Sequence, residues 1–240
     1  MAMQIGFFDI ILKIASVILF LSIVVSVASA GTWSDEFSGN LLDQKWKGDR
    51  DNFSVENDAL HGRNAHPILL LPLCWIEVGR DWDDYVIQCK INVVIPNLLV
   101  CTKGALVLRH KGNEGYVFAL HVATKTVEVF RLSDGEMLLS KDKSLELDKW
   151  YLVKAELQGE NMSFYLDGEL IGKISDKRSF SGSAGLAVQD ALSVLYDDFT
   201  ITGPKVGEGS AVIKTNNKIL TTWANLKSEY YLLNFGRSDV

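Results

Sequence analysis

Residues 145–174 read LELDKWYLVKAELQGENMSFYLDGELIGKI. From Trp150 to Leu157, the side chains of Tyr151, Val153, Ala155 and Leu157 fall at alternate positions, with Leu152, Lys154 and Glu156 between them. A period of two marks a strand with one buried face. Met162, Phe164 and Leu166 repeat the alternation. Gln158-Gly159-Glu160-Asn161 separates the two runs with turn chemistry, and Asp167-Gly168 tolerates the positive φ values of a tight hairpin. Three consecutive antiparallel strands are therefore predicted, with Tyr151, Val153, Phe164 and Leu166 facing a core.

Outward from this stretch the same signals recur. Residues 33–37 alternate and end at Gly39-Asn40, and residues 52–62 (NFSVENDALHG) form a hairpin about Asn57-Asp58. Short runs at 68–71 and 75–78 are punctuated by Pro67, Pro72 and Gly79. Residues 85–94 set Tyr85, Ile87, Cys89 and Ile91 on one side, with Val86, Gln88, Lys90 and Asn92 on the other. Residues 105–110, 115–122 and 126–132 make a meander, followed by strands at 136–140, 184–188 and 194–202. About thirteen short strands without a sustained helical period imply an all-β, two-layer antiparallel jelly-roll sandwich.

The chain divides into residues 1–30, 31–203 and 204–240. Residues 14–27 are an unbroken apolar and small-residue run, and Ala28-Ser29-Ala30 has the pattern a signal peptidase accepts. Export, to the medium, the periplasm or the cell surface, with cleavage before Gly31 is the leading reading. With Lys13 as the only base ahead of the run, retention of residues 5–30 as a membrane anchor is the alternative and the leading route to a membrane. At the other end, Gly203-Pro204 breaks the last strand and KVGEGS (205–210) is a polar linker. Ile219, Trp223, Leu226 and Tyr230 then share one helical face, giving a short helical tail that docks on the sandwich or meets a partner or membrane.

The 240 residues are 48% hydrophobic with a formal charge of −6, which suits a packed domain and offers no basic surface for nucleic acid. Cys74, Cys89 and Cys101 are odd in number and lack a CxxC spacing, so zinc and thioredoxin chemistry lose their usual support. Cys89 reads as a buried thiol. One disulfide, most simply Cys74 with Cys101, is compatible with the sequence but not decided by it. None of His61, His66, His110 and His121 stands in a ligand-spaced pair. Asp81-Trp82-Asp83-Asp84 lacks the glycine and spacing of a calcium loop and reads as a solvated turn. Asn52-Phe53-Ser54 and Asn161-Met162-Ser163 are glycosylation sequons, relevant only in a eukaryotic secretory pathway.

Several of these elements carry a resemblance. A Trp-opened strand, a hairpin, a strand ending in Asp-Gly and a further short strand are similar to the laminin-G and concanavalin A-like lectin/glucanase modules. Trp33-Ser34-Asp35-Glu36-Phe37-Ser38-Gly39, followed by Leu42-Asp43-Gln44-Lys45-Trp46, resembles the N-terminus of laminarinase-like glycoside hydrolases. The order RHKGNEGYVFAL, VEVFRL, WYLVKAEL, YLDGEL, GLAV and YDDFTI resembles the 3-keto-disaccharide hydrolase class over about residues 31–203. The resemblance implies a glycan partner bound on a concave sheet. It also implies a structural calcium, held by Asp197 with backbone carbonyls at the positions of Glu36 and Asp58.

Laminarinase-like hydrolases carry a Glu-x-Asp-x-(x)-Glu set on one strand, because retaining hydrolysis needs two carboxylates about 5–5.5 Å apart. The corresponding stretch here is Glu114-Gly115-Tyr116-Val117-Phe118, and Glu146-Leu147-Asp148 is only a partial match in another context. Arg109, Tyr116, Phe118 and His121 make a candidate glycan surface, with Arg109 and Tyr116 the chosen contacts because they bracket one hairpin. Alternation sets Tyr116 and Phe118 on one face and His121 on the other, and Phe118 reads equally well as core. The expected function is an exported carbohydrate-binding module without the laminarinase-type carboxylates. A hydrolase of the 3-keto-disaccharide type, with no catalytic residue assigned, and a structural envelope or adhesion domain are the alternatives.

Overall fold

A computed structural model describes residues 30–64, 73–96 and 101–207. The expected leader up to residue 29, the run at 68–71, His66 and the helical face at 219–230 lie outside the described residues. Within them the chain is built from strands, with one 3-10 turn at Arg50–Asn52.

Eight strands form the first sheet: β1 (Gly31–Asp35), β3 (Phe53–Glu56), β4 (Ala59–Asn64), β6 (Tyr85–Pro96), β11 (Trp150–Gln158), β12 (Asn161–Leu166), β13 (Glu169–Ser175) and β15 (Ala191–Gly203). Seven form the second: β2 (Lys47–Gly48), β5 (Cys74–Trp82), β7 (Lys103–Lys111), β8 (Glu114–His121), β9 (Thr126–Arg131), β10 (Met137–Asp142) and β14 (Gly182–Gln189). The first runs in the order β13-β12-β11-β6-β15-β4-β3, with β1 also on β15, and the second in the order β10-β9-β8-β7-β14-β5-β2. Every pairing is antiparallel, so the chain forms the expected two-layer jelly-roll sandwich.

The hairpins follow from local chemistry. Asp167 and Gly168 have φ of 49° and 83°, and Asn57 and Asp58 have φ of 52° and 56°, the paired positive values of a tight hairpin turn. The β11–β12 register sets Ala155 opposite Phe164 and Val153 opposite Leu166. Tyr151, Val153, Phe164 and Leu166 are all buried, as the alternation predicts. Phe118 of the second sheet meets Phe164 edge-to-face with centroids 4.9 Å apart, so the two faces interlock there.

The WSDEF stretch does structural work. Asp35 accepts the Phe37 N–H at 2.8 Å and the Trp46 indole N–H at 2.9 Å, which positions Trp46 for edge contacts with Trp33 and Phe199. A buried indole keeps its donor satisfied in this way while its ring packs on Trp33 of β1 and Phe199 of β15.

Candidate functional site

The structure places Arg109 and Tyr116, the expected glycan contacts, inside the protein, each 0% exposed. A register shift between Leu108 and Lys111 and a φ of 48° at Arg109 turn its side chain toward one end of the sandwich. There its guanidinium donates to the carbonyls of Asp83 (2.7 and 3.0 Å), Gly159 (2.7 Å) and Ser179 (3.3 Å). The Tyr116 hydroxyl accepts the Ser179 N–H at 3.3 Å, and Phe118 is core. The pair closes three loops onto that end of the sandwich, and in this arrangement neither side chain meets the outer face. Sequence alternation cannot anticipate a bulge that swings one residue inward.

The outward face of the second sheet is laid out by register. Ala119 lies opposite Glu128 on one side and Ala105 on the other, Ala105 opposite Ala187, and Ala187 opposite Trp75. The next row runs Phe130, Val117, Val107, Gly185, Glu77 and Lys47. Ala105, Val107, Val117, Ala119 and Ala187 form a second buried apolar cluster with Leu73, flanked by the half-buried Trp75, Phe130 and Leu132. The three central strands thus present Ala, Val and Gly outward in these rows, and the carboxylates stand at the two margins.

At the β5 margin, His110 Nδ1 pairs with Glu77 Oε2, and the single O–H of Ser183 is shared between the same oxygen at 2.7 Å and the His110 carbonyl at 3.0 Å. Trp75 stands edge-on to the imidazole, centroids 5.0 Å apart. Burial pushes the Glu77 carboxyl up, but hydrogen bonds from His110 and Ser183 outweigh it and hold it below the ordinary range. The Glu77 bond raises His110 against the opposing effect of burial. The side chain of Glu77 is 24% exposed and that of His110 11%, so this margin keeps its contact with solvent through the carboxylate.

At the β9 margin, Glu128 accepts from His121 Nδ1 at 2.7 Å and Thr126 Oγ1 at 2.8 Å, and Lys103 Nζ lies 2.9 Å from its other oxygen. Burial raises the Glu128 carboxyl, but His121 and Lys103 overcome it and hold it at about 2. Glu128 is 9% exposed and Lys103 13%, so this network is nearly sealed. The sequence carried a signal for the open margin that motif reading missed: Trp75 and Glu77, two apart on one strand, share a face. What it did not carry was the arrival of His110 and Ser183 from β7 and β14.

The remaining candidates separate. Asp81 pairs with Lys111 at 2.8 Å, Asp83 pairs with Lys205, and Asp84 accepts the Gly159 N–H at 2.8 Å, so this acidic run ties down a corner. The ladder that pairs Asp35 with Phe199 and the one that pairs Leu60 with Tyr196 run toward each other along β15. Continued one residue past Asp35, to Glu36, and two before Leu60, to Asp58, the two registers both point to Asp198, beside the register shift at Asp197. There Asp197 Oδ1 accepts the Asp198 N–H at 2.8 Å, and Asp198 pairs with Lys90 at 2.7 Å. Among the described residues no three His, Cys, Asp or Glu side chains gather as a metal site. A cation here would therefore rest on one carboxylate and backbone oxygens, a partial fit to the six or more that calcium takes. The three cysteines are free thiols, and burial raises that of Cys89 well above its ordinary value.

No family model matches the chain, and no curated protein matches it. Solved structures do. The carbohydrate-binding module CBM66 from Bacillus subtilis is 19% identical with a TM-score of 0.59, over 67% of this chain and 98% of that one. A β-1,3-1,4-glucanase (lichenase) from a mouse hindgut metagenome is 11% identical with a TM-score of 0.55, over 72% and 99%. The Bacillus licheniformis β-glucanase is 11% identical with a TM-score of 0.54, over 73% and 99%. At these identities the likeness is one of fold, a two-sheet antiparallel jelly roll.

Proposed function

We propose that this chain is an exported carbohydrate-binding sandwich whose glycan contact is the Trp75, Glu77, His110 and Ser183 cluster on the open margin of the second sheet. The observation that carries the reading is a half-buried indole beside a fixed carboxylate–imidazole pair, on the outward face of a sandwich shared with a carbohydrate-binding module. An indole receives the apolar face of a sugar ring, and the ionised pair and the serine hydroxyl hold its hydroxyls. Glu77 and Glu128, the carboxylates of the two middle rows, are four strand separations apart, about 19 Å. Double-carboxylate hydrolysis works at about 5–9.5 Å, so this separation favours binding over cleavage.

A glycan-array screen of the full chain tests the reading. We expect retention of neutral glycans, and Trp75→Ala should weaken it about tenfold while moving Tm by less than about 2 °C. Unaltered binding by Trp75→Ala would sink the choice of site. Release of reducing sugar from laminarin or lichenan would sink the non-catalytic part.

A hydrolase of the 3-keto-disaccharide type is the second reading, favoured by the Glu77–His110 pair as a proton-transfer couple. It expects turnover of a 3-keto-disaccharide that Glu77→Gln abolishes. Export carries its own check, an N-terminus at Gly31 on protein recovered outside the cell, whereas intact Met1 in the membrane fraction would support an anchor. Calcium at Asp197 expects a chelator-induced fall in Tm that Asp197→Ala removes, and identical melts with and without chelator would dispose of it.

A further inference from the structure

The outward face of the first sheet holds an exposed aromatic ring beside a buried polar atom that has no partner. Register sets Trp150 opposite Asn92, Asn92 opposite Leu195, Leu195 opposite His61, and His61 opposite Ser54. This row points outward because its chain neighbours Ile91, Val93, Tyr151, Val194 and Tyr196 all belong to the core. Trp150 is 41% exposed, whereas Asn92 is 3% exposed.

Asn92 Nδ2 donates to Asp148 Oδ1 at 3.4 Å, and the loop bearing Asp148 is pinned to β6 by its N–H to the Val93 carbonyl at 2.9 Å. That contact decides which way the amide faces, since the reverse orientation would set its oxygen against a carboxylate. Asn92 Oδ1 is then buried with no hydrogen-bond partner. Buried amide oxygens nearly always have one, and an orphan lowers stability unless something else supplies the donor.

We propose that Trp150, Asn92 and Asp148 form a second carbohydrate subsite, on the opposite sheet from the Trp75 cluster, for the ring of a neutral sugar. The ring's C–H face lies on the indole, one hydroxyl donates to the exposed Asp148 carboxylate, and a second reaches Asn92 Oδ1, which is closed to solvent in the unbound chain, as the Asp148 side chain gives up its long contact with the amide. A sugar ring suits the site because it combines an apolar face with adjacent donors. Flanked by Asn92 and the exposed Asp148, the ring of Trp150 has polar groups at its edge rather than the broad apolar surface that a protein partner would bury.

Affinity electrophoresis of the full chain in gels containing laminarin, xylan or levan tests the subsite, with Trp75→Ala as the background so that the other face does not contribute. We expect retention in at least one gel, weakened about tenfold by adding either Trp150→Ala or Asn92→Leu. Asn92→Leu should at the same time raise Tm by roughly 2–4 °C, since it removes an unpaired buried oxygen. Loss of binding with a gain of stability is an outcome that a merely structural asparagine does not produce. Retention unchanged by Trp150→Ala overturns the subsite, as does a fall in Tm for Asn92→Leu with retention intact, the mark of a trapped water. Lack of retention in all three gels overturns it, and so does self-association abolished by Trp150→Ala. A Trp75→Ala chain that binds as well as the unaltered protein counts against the first site alone.

Discussion

The two outward faces of the sandwich obey different rules. On the first sheet, positions that point away from the core are mostly polar or exposed: Gln88 lies opposite Lys154 and Lys154 opposite Tyr165, while Val86 lies opposite Glu156 and Glu156 opposite Ser163. On the second, Ala105, Val107, Val117, Ala119 and Ala187 point outward and are each 0% exposed, and the charges beside them are locked into Glu77–His110 and Glu128–Lys103–His121. An antiparallel sheet with one wet face reads as strict alternation, whereas one buried on both faces reads as a continuous apolar run. ALVL (105–108) and YVFAL (116–120) are such runs, and WYLVKAEL is the alternating kind. The difference explains why the first sheet is legible residue by residue, and why the second conceals its outer face.

Four substitutions grade that contrast. The interior common to both sheets sets the upper bound: Phe164→Ala should cost about 3–5 kcal/mol in urea unfolding, since a fully buried ring leaves a cavity between the layers. A cost below about 1 kcal/mol would mean the faces are misassigned.

Glu128→Gln comes next. The native carboxyl sits at about 2 against an ordinary 4.5, so the native state binds fewer protons than the unfolded chain between those values. The network's contribution is complete above about pH 4.5 and is lost as pH falls toward 2. The variant should lose about 2–3 kcal/mol at pH 7 and show a flatter acid limb over that range. An unchanged limb would show that the β9 margin is solvated rather than sealed.

Val117→Thr, on the outward face of the second sheet, should cost about 1–3 kcal/mol because it buries a hydroxyl at nearly constant volume. The matched change on the first sheet, Val86→Thr, should stay within about 0.5 kcal/mol, as Val86 is 37% exposed. Equal costs for the pair would erase the distinction between the faces.

Parts of the candidate site were legible and parts were not. The absence of a Glu-x-Asp-x-(x)-Glu set around Glu114–Phe118 could be read directly. The placement of Arg109 could not, because one bulge turns its guanidinium toward three carbonyls that are distant in sequence. Trp75 and Glu77 share a strand face by simple alternation. His110 lies 33 residues from Glu77 and Ser183 lies 106, and only the β5-β14-β7 order sets them side by side.

By itself the sequence determined the strands, their hairpins and the all-β class, since side-chain period, Asn-Asp and Asp-Gly turns and glycine positions act over a few residues. It also determined which side chains of β11 and β12 enter the core. Tertiary structure decided which strands became neighbours, which face of the second sheet lost its solvent, and which polar side chains converged at its margins. Strand order couples residues tens of positions apart through backbone hydrogen bonds, and those bonds are indifferent to the side chains they bring together.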